Sequence, residues 1–121
     1  MSDFIYLASQ SPRRSQLLDQ IGVAHKLLLA GPDEDAESLE AVRGAEAPAR
    51  YVARVTGLKL DAAVQRMKRQ GLPAAPVLCA DTTVCLGRDI LCKPADPADA
   101  VRMLQRLAGQ SHRVLTAVAV Q

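Results

Sequence analysis

Apolar and polar positions along the chain fall into short runs that switch between the periods of strands and helices. Phe4-Ile-Tyr-Leu-Ala8 is a short apolar run, the pattern of a buried strand. Ser11-Pro12 opens a helix, because Ser11 can cap it and Pro12 suits the first helical position, where no N–H is needed. Leu17, Leu18 and Ile21 recur at helical spacing, and Gly22 stops the helix. His25 to Leu29 reads as a second strand. Gly31 to Glu46 is loop-like and carries six acidic residues, Asp33, Glu34, Asp35, Glu37, Glu40 and Glu46. From about Pro48 to Arg69 the pattern is helical, with Val52, Val55, Leu58 and Ala62 on one stripe.

Gly71 to Pro76 is a turn or loop. Val77 to Leu86 is dense in β-branched residues and predicts a central strand. Gly87-Arg88-Asp89 turns into a short strand, Ile90 to Cys92. Asp96-Pro97-Ala98-Asp99 starts another helix, in which Val101, Leu104 and Leu107 form the expected buried stripe and Gly109 ends the run. Val114 to Val120 is a last apolar strand. This alternation of strands and helices predicts an α/β or mixed α+β layer fold, in one domain over residues 1–121.

Composition narrows the function. At 49% hydrophobic and 23% charged residues, the 121-residue chain has the balance of an ordinary globular domain. Fifteen Lys and Arg against 13 Asp and Glu leave a net charge of +2, too mild for a dedicated nucleic-acid binder. Phe4, Tyr6 and Tyr51 are the only aromatic residues, so recognition of single strands by base stacking is not expected. The three cysteines, Cys79, Cys85 and Cys92, form no C-x-x-C pair and read as small core residues in a reducing compartment. No signal peptide and no apolar run of spanning length is present, so a cytoplasmic protein with no membrane contact is expected.

Two places carry candidate chemistry. In Ser9-Gln-Ser11-Pro-Arg13-Arg14, a strand end, a turn and a helix start bring hydroxyls, free N–H groups and two guanidinium forks together. That set can cradle phosphate, or it can be a capped helix with solvated arginines. In Ala80-Asp81-Thr82, a carboxylate sits inside an apolar strand, where an unpaired charge is costly. Period two puts Cys79, Asp81, Thr83 and Cys85 on one face with Val77. Asp81 therefore needs a cation, as in a structural salt bridge, a metal such as Mg²⁺, or an active-site solvent pocket. Lys93, His112, the acidic run and the basic tract Arg66, Lys68, Arg69 read, each alone, as solvated or structural groups.

Taken together, Leu7-Ala-Ser-Gln-Ser-Pro-Arg-Arg14, Leu17-Leu18, Ala80-Asp-Thr82, Ile90-Leu-Cys-Lys-Pro94 and Gly109-Gln-Ser-His-Arg-Val-Leu-Thr116 resemble the Maf-like nucleotide pyrophosphatases over essentially the whole chain. The resemblance implies an elongated mixed sheet flanked by helices, with a central cleft, similar to inosine triphosphatases. It implies hydrolysis of a nucleoside triphosphate to the monophosphate and pyrophosphate with Mg²⁺ or Mn²⁺. The pairing of Ser-Pro-Arg-Arg with Ala-Asp-Thr is similar to members acting on dTTP and UTP, rather than those acting on 7-methyl-GTP. By motif, Ser9, Arg13, Arg14, Lys59 and Lys93 are implied to bind substrate. Asp81 is implied to be catalytic, and Glu34 and Asp81 to hold the metal. Gly31-Pro-Asp-Glu-Asp-Ala stands where the family is rich in D-x-D-E, and Cys92 stands where glycine is common.

Family chains continue beyond the Thr116-Ala-Val strand, so the resemblance predicts a C-terminally shortened chain that dimerises or aggregates and turns nucleotide over poorly. A nucleotide-binding fragment without activity and a regulatory protein of septum formation are the alternatives.

Overall fold

A computed structural model describes residues 3–32, 34–35, 37–91 and 95–121. The elements in chain order are β1 (Ile5–Leu7), α1 (Pro12–Gln20), β2 (His25–Leu27), a 3₁₀ turn (Glu37–Glu40), α2 (Pro48–Arg69), β3 (Val77–Leu86), β4 (Asp89–Leu91), α3 (Pro97–Leu107) and β5 (Arg113–Val120). The expected alternation is present, and α2 and β3 have the bounds read from the sequence. Cys92, Lys93, Pro94 and Asp33 lie outside the described residues.

The helix starts follow capping chemistry. Ser11 Oγ accepts from the Arg14 N–H at 3.4 Å, with Pro12 first in α1. Asp96 Oδ1 accepts from the Asp99 N–H at 2.7 Å, and Asp99 Oδ2 accepts from the Ala95 N–H at 2.9 Å, two orphan donors satisfied at one helix start. Gly22, just past α1, has φ +76°, a conformation that favours glycine.

The sheet is mixed. β1 runs parallel to β2 (Ile5 opposite His25) and parallel to β3 (Leu7 opposite Leu78). β4 and β5 run antiparallel to β3. Leu78 lies between Leu7 and Val120, and Val84 lies between Leu91 and Val114. β1 and β4 therefore share one edge of β3, opposite β5. Between them, Cys79 to Thr83 pair only with β5 among the described residues, which leaves a notch in the sheet edge. The backbone groups of a strand must bond somewhere. Here the Leu78 carbonyl accepts from the Ala8 N–H, and the Ala80 carbonyl accepts from Arg14.

α2 packs across β3 and β5. Its buried side includes Val52, Val55, Leu60, Ala63, Val64 and Met67, and the last four meet Tyr6, Leu28, Val77 and Cys79 in the core. Period two holds along β3: Val77, Cys79, Thr83 and Cys85 are buried on the face toward α2. Cys79 and Cys85 are free thiols of this core, and burial pushes the Cys79 thiol up, which keeps it neutral.

Two expectations are corrected. Val101 and Leu104 of α3 are 52% and 67% exposed, and α3 has no buried residue. Its apolar stripe exists, but it does not reach the core that α2 and the sheet fill. Arg66 is not a solvated member of a basic tract: it is only 5% exposed and ion-paired.

Candidate active site

The notch in β3 opens onto a cavity of about 440 Å³. Three segments wall it: the turn between β1 and α1, one stripe of α2, and the loop that precedes α2. The turn contributes Ser9, Ser11 and Arg14. Ser9 Oγ accepts from the Ser11 N–H at 3.2 Å and from Arg14 Nη1 at 3.0 Å. Arg14 Nη1 also donates to the Ala80 carbonyl at 3.0 Å, and Nη2 donates to Thr82 Oγ1 at 3.2 Å. Thr82 Oγ1 lies 2.9 Å from Thr116 Oγ1 on β5. Among the described residues the Arg14 guanidinium hydrogen-bonds only neutral oxygens, Ser9 Oγ, the Ala80 carbonyl and Thr82 Oγ1. Arg13 is exposed and is not among the described lining of the cavity.

On α2, Lys59, Ala62 and Arg66 line the cavity at spacings of three and four, one face of a helix. Lys59 Nζ stands 2.8 Å from Glu40 Oε1 and 3.4 Å from Asp81 Oδ2. Asp81 lies on the α2-facing side of β3, yet its side chain is 21% exposed because the notch opens there. Its other oxygen, Oδ1, accepts from the Thr82 N–H at 3.0 Å. Desolvation is thus partial, and an ammonium and an amide face the charge.

Glu34 is held differently. Arg66 Nε donates to its Oε2 at 2.7 Å and Nη2 to its Oε1 at 2.8 Å, a bidentate pair. Arg66 Nη1 donates to the Leu28 carbonyl at 3.0 Å, the Gly31 N–H donates to Glu34 Oε2 at 3.2 Å, and Arg69 lies 3.4 Å from the same oxygen. The Arg66 hydrogen bonds dominate and hold the Glu34 carboxyl down at about 2, against a weaker upward push from burial. Further along the loop, Tyr51 donates from its hydroxyl to the Glu40 carbonyl at 2.6 Å, and Arg54 donates to the Ala41 carbonyl at 2.7 Å and to both Glu46 oxygens. These anchors fix the loop on α2 and set Glu40 beside Lys59.

Of the residues expected at the site, Ser9, Arg14, Lys59 and Asp81 come together, Arg13 is exposed, Glu34 is engaged by Arg66, and Lys93 lies outside the described residues. The sequence motifs mark neither Glu40 nor Arg66 as a site residue. For Arg66 a signal existed in its seven-residue spacing from Lys59. For Glu40 there was none, since a loop has no period.

Residues 4–121 match the family model described as "Maf-like protein". The chain belongs to the Maf family. It is 72% identical over 120 residues to a dTTP/UTP pyrophosphatase of Albidiferax ferrireducens, covering 99% of this chain and 60% of that protein. A protein of the same name from a Polaromonas species is 67% identical over 120 residues, covering 99% of this chain and 59% of that one. Another from Cupriavidus metallidurans is 62% identical, covering 99% and 60%. The Maf chain described here thus spans about 60% of the length of these relatives. The mixed sheet flanked by helices is the fold that membership of the Maf family implied. Among the described residues no helix is long and apolar enough to cross a membrane.

Proposed function

We propose that this chain serves a nucleoside triphosphate pyrophosphatase acting on dTTP and UTP, yielding the monophosphate and pyrophosphate. The observation that carries the reading is the Arg14 guanidinium, hydrogen-bonded only to neutral oxygens among the described residues, sharing one cavity with the half-buried carboxylate of Asp81. The names of the curated relatives support the same substrates.

Arg14 is already oriented by Ser9, Ala80 and Thr82, so its fork can donate to phosphate oxygens with little reordering. Lys59 adds a point charge beside it. Asp81 Oδ2 faces the same space, and a carboxylate there can take the proton of a water attacking the α-phosphorus in line. Lys59 stands between Asp81 and Glu40, within ion-pair distance of both carboxylates.

A divalent cation, Mg²⁺ or Mn²⁺, fits this donor set. The Glu40 and Asp81 oxygens are hard ligands, and a cation, the Lys59 ammonium, already stands between them. Mg²⁺ takes one or two carboxylates plus substrate phosphates, so two carboxylates suffice. When bound, the ion neutralises phosphate charge at the leaving group. Glu34 would join such a site only by leaving Arg66.

A homodimer is also proposed. Its support is β5, which pairs only with β3 among the described residues and exposes Val114, Val118 and Val120. Location in the cytoplasm is supported by the free thiols Cys79 and Cys85.

The test is pyrophosphate release from a panel of nucleotides by a form of the protein as long as its curated relatives. Turnover is expected to be highest with dTTP and UTP. A preference for 7-methyl-GTP or ITP, or no release from any, overturns the assignment.

A further inference from the structure

On the sheet face turned away from α2, the cross-strand pairs of β3 and β5 are apolar with one exception. Leu78 pairs with Val120, Ala80 with Val118 and Val84 with Val114. Between them, Thr82 pairs with Thr116. Their hydroxyl oxygens lie 2.9 Å apart, and Thr82 Oγ1 also accepts from Arg14 Nη2 at 3.2 Å. The polar pair therefore stands where the guanidinium reaches the sheet. Thr116 is not among the described lining of the cavity that Arg14 and Asp81 share, so it meets that cavity only through Thr82.

The three anchors of Arg14 differ in stiffness. The Ala80 carbonyl is backbone of β3, and Ser9 Oγ is held by the Ser11 N–H at 3.2 Å. Thr82 Oγ1 is the anchor of Nη2, and it is the exposed one. A threonine has few side-chain rotamers, and a hydroxyl partner selects among them. Thr116, itself β-branched and directly opposite, supplies that partner. Arginine carries five N–H donors, and the three hydrogen bonds named leave two for a ligand among the described residues, one of them on Nη2. The direction of that free N–H follows the plane of the guanidinium, which the Thr82 anchor sets. We propose that Thr116 is a positioning residue, which acts through the Thr82 hydroxyl to fix the plane of the Arg14 guanidinium. It never touches the ligand. The consequence for binding rests on the reading above that Arg14 takes phosphate oxygens.

The test uses a form as long as the curated relatives, with inorganic pyrophosphate as the probe. Thr116→Val keeps the shape and removes the hydroxyl, while Thr116→Ser keeps the hydroxyl. Nitrogen NMR of the Arg14 side chain, assigned by its loss in Arg14→Lys, reads the orientation without any ligand. Slow rotation and separate Nη signals are expected in the parent, faster rotation and merged signals in Thr116→Val, and the parent pattern in Thr116→Ser. Calorimetry should show pyrophosphate weakened about three- to tenfold by Thr116→Val, the scale of one hydrogen bond, and restored to within about twofold by Thr116→Ser. In an Arg14→Lys background Thr116→Val should change affinity by less than about twofold, because its effect passes through Arg14. Unchanged Nη signals in Thr116→Val, a serine variant as impaired as the valine one, or an equal loss in the Arg14→Lys background each overturn the inference. If Thr116→Val does not fold, Thr116→Ala carries the same expectations. A parent that does not bind pyrophosphate, or binds it equally well as Arg14→Lys, refutes the phosphate reading, and the Nη signals then decide the positioning role alone.

Discussion

Lys59 and Asp81 face each other at 3.4 Å where, among the described residues, this edge of β3 has no strand partner. The notch explains how a carboxylate can sit in the middle of an apolar strand. Among the described residues, β1 reaches Leu7, opposite Leu78, and β4 reaches Leu91, opposite Val84, so the stretch of β3 between them is open to a cavity just where Asp81 projects. Asp81→Asn keeps the shape and removes the charge. The expected loss in kcat is about 10²–10⁴, the scale of a positioned acid or base. The circular dichroism spectrum should not change. Turnover near that of the parent chain would make Asp81 purely structural.

Arg14 should govern affinity. It reaches three separate oxygens through one planar fork, a geometry lysine lacks. Arg14→Lys is expected to weaken pyrophosphate binding by about 10–100-fold, the worth of charged hydrogen bonds. Calorimetric titration checks this, and equal affinity of the two chains would place the phosphate elsewhere.

Arg66 should govern stability. It is buried, and among the described residues its guanidinium hydrogen-bonds only at the loop and at β2's end, to Glu34 and the Leu28 carbonyl. Arg66→Met leaves Glu34 without its main counter-charge and is expected to cost about 2–3 kcal/mol. Urea unfolding measures this directly. A change under half that size would mean the pair contributes little.

Acid stability follows from Glu34. Its carboxyl titrates at about 2 in the folded chain against an ordinary value of 4.5. A lowered folded value means the stabilisation is complete above the unfolded value and is lost as pH falls from 4.5 toward 2. Glu46, lowered to about 2 chiefly by its hydrogen bonds from Arg54, acts in the same window. Glu34→Gln should flatten the stability-against-pH curve between those limits. An unchanged slope would show that the Arg66 pair does not persist in solution.

Most of the scaffold was legible in the sequence, for identifiable reasons. Pro48 fixes the start of α2, and the unbroken Val77–Leu86 run fixes β3. Asp81 was legible because a charge within an apolar run demands a partner. Three things were not. The stripe of α3 shows which side is apolar but not what covers it, and Val101 and Leu104 prove exposed. In an aperiodic acidic loop nothing ranks Glu40 above Glu34, and only packing against Lys59 and Arg66 separates them. Arg66 lies among Lys68 and Arg69 in sequence, while its direction on the helix puts it with Lys59.

The outward face of β5 carries Val118, 64% exposed, on a strand edge that can recruit another chain. Val118→Lys is expected to lower self-association in sedimentation without changing the fold. Sedimentation identical to the parent chain would remove β5 from any interface.

The central claim is that water, activated at Asp81, attacks the α-phosphorus. Incubating a form as long as the curated relatives with dTTP in heavy-oxygen water and reading the products by phosphorus NMR tests it most directly. The account predicts labelled dTMP with unlabelled pyrophosphate, and neither product above background from the Asp81→Asn chain. Label in pyrophosphate, or formation of dTDP and orthophosphate, would contradict it.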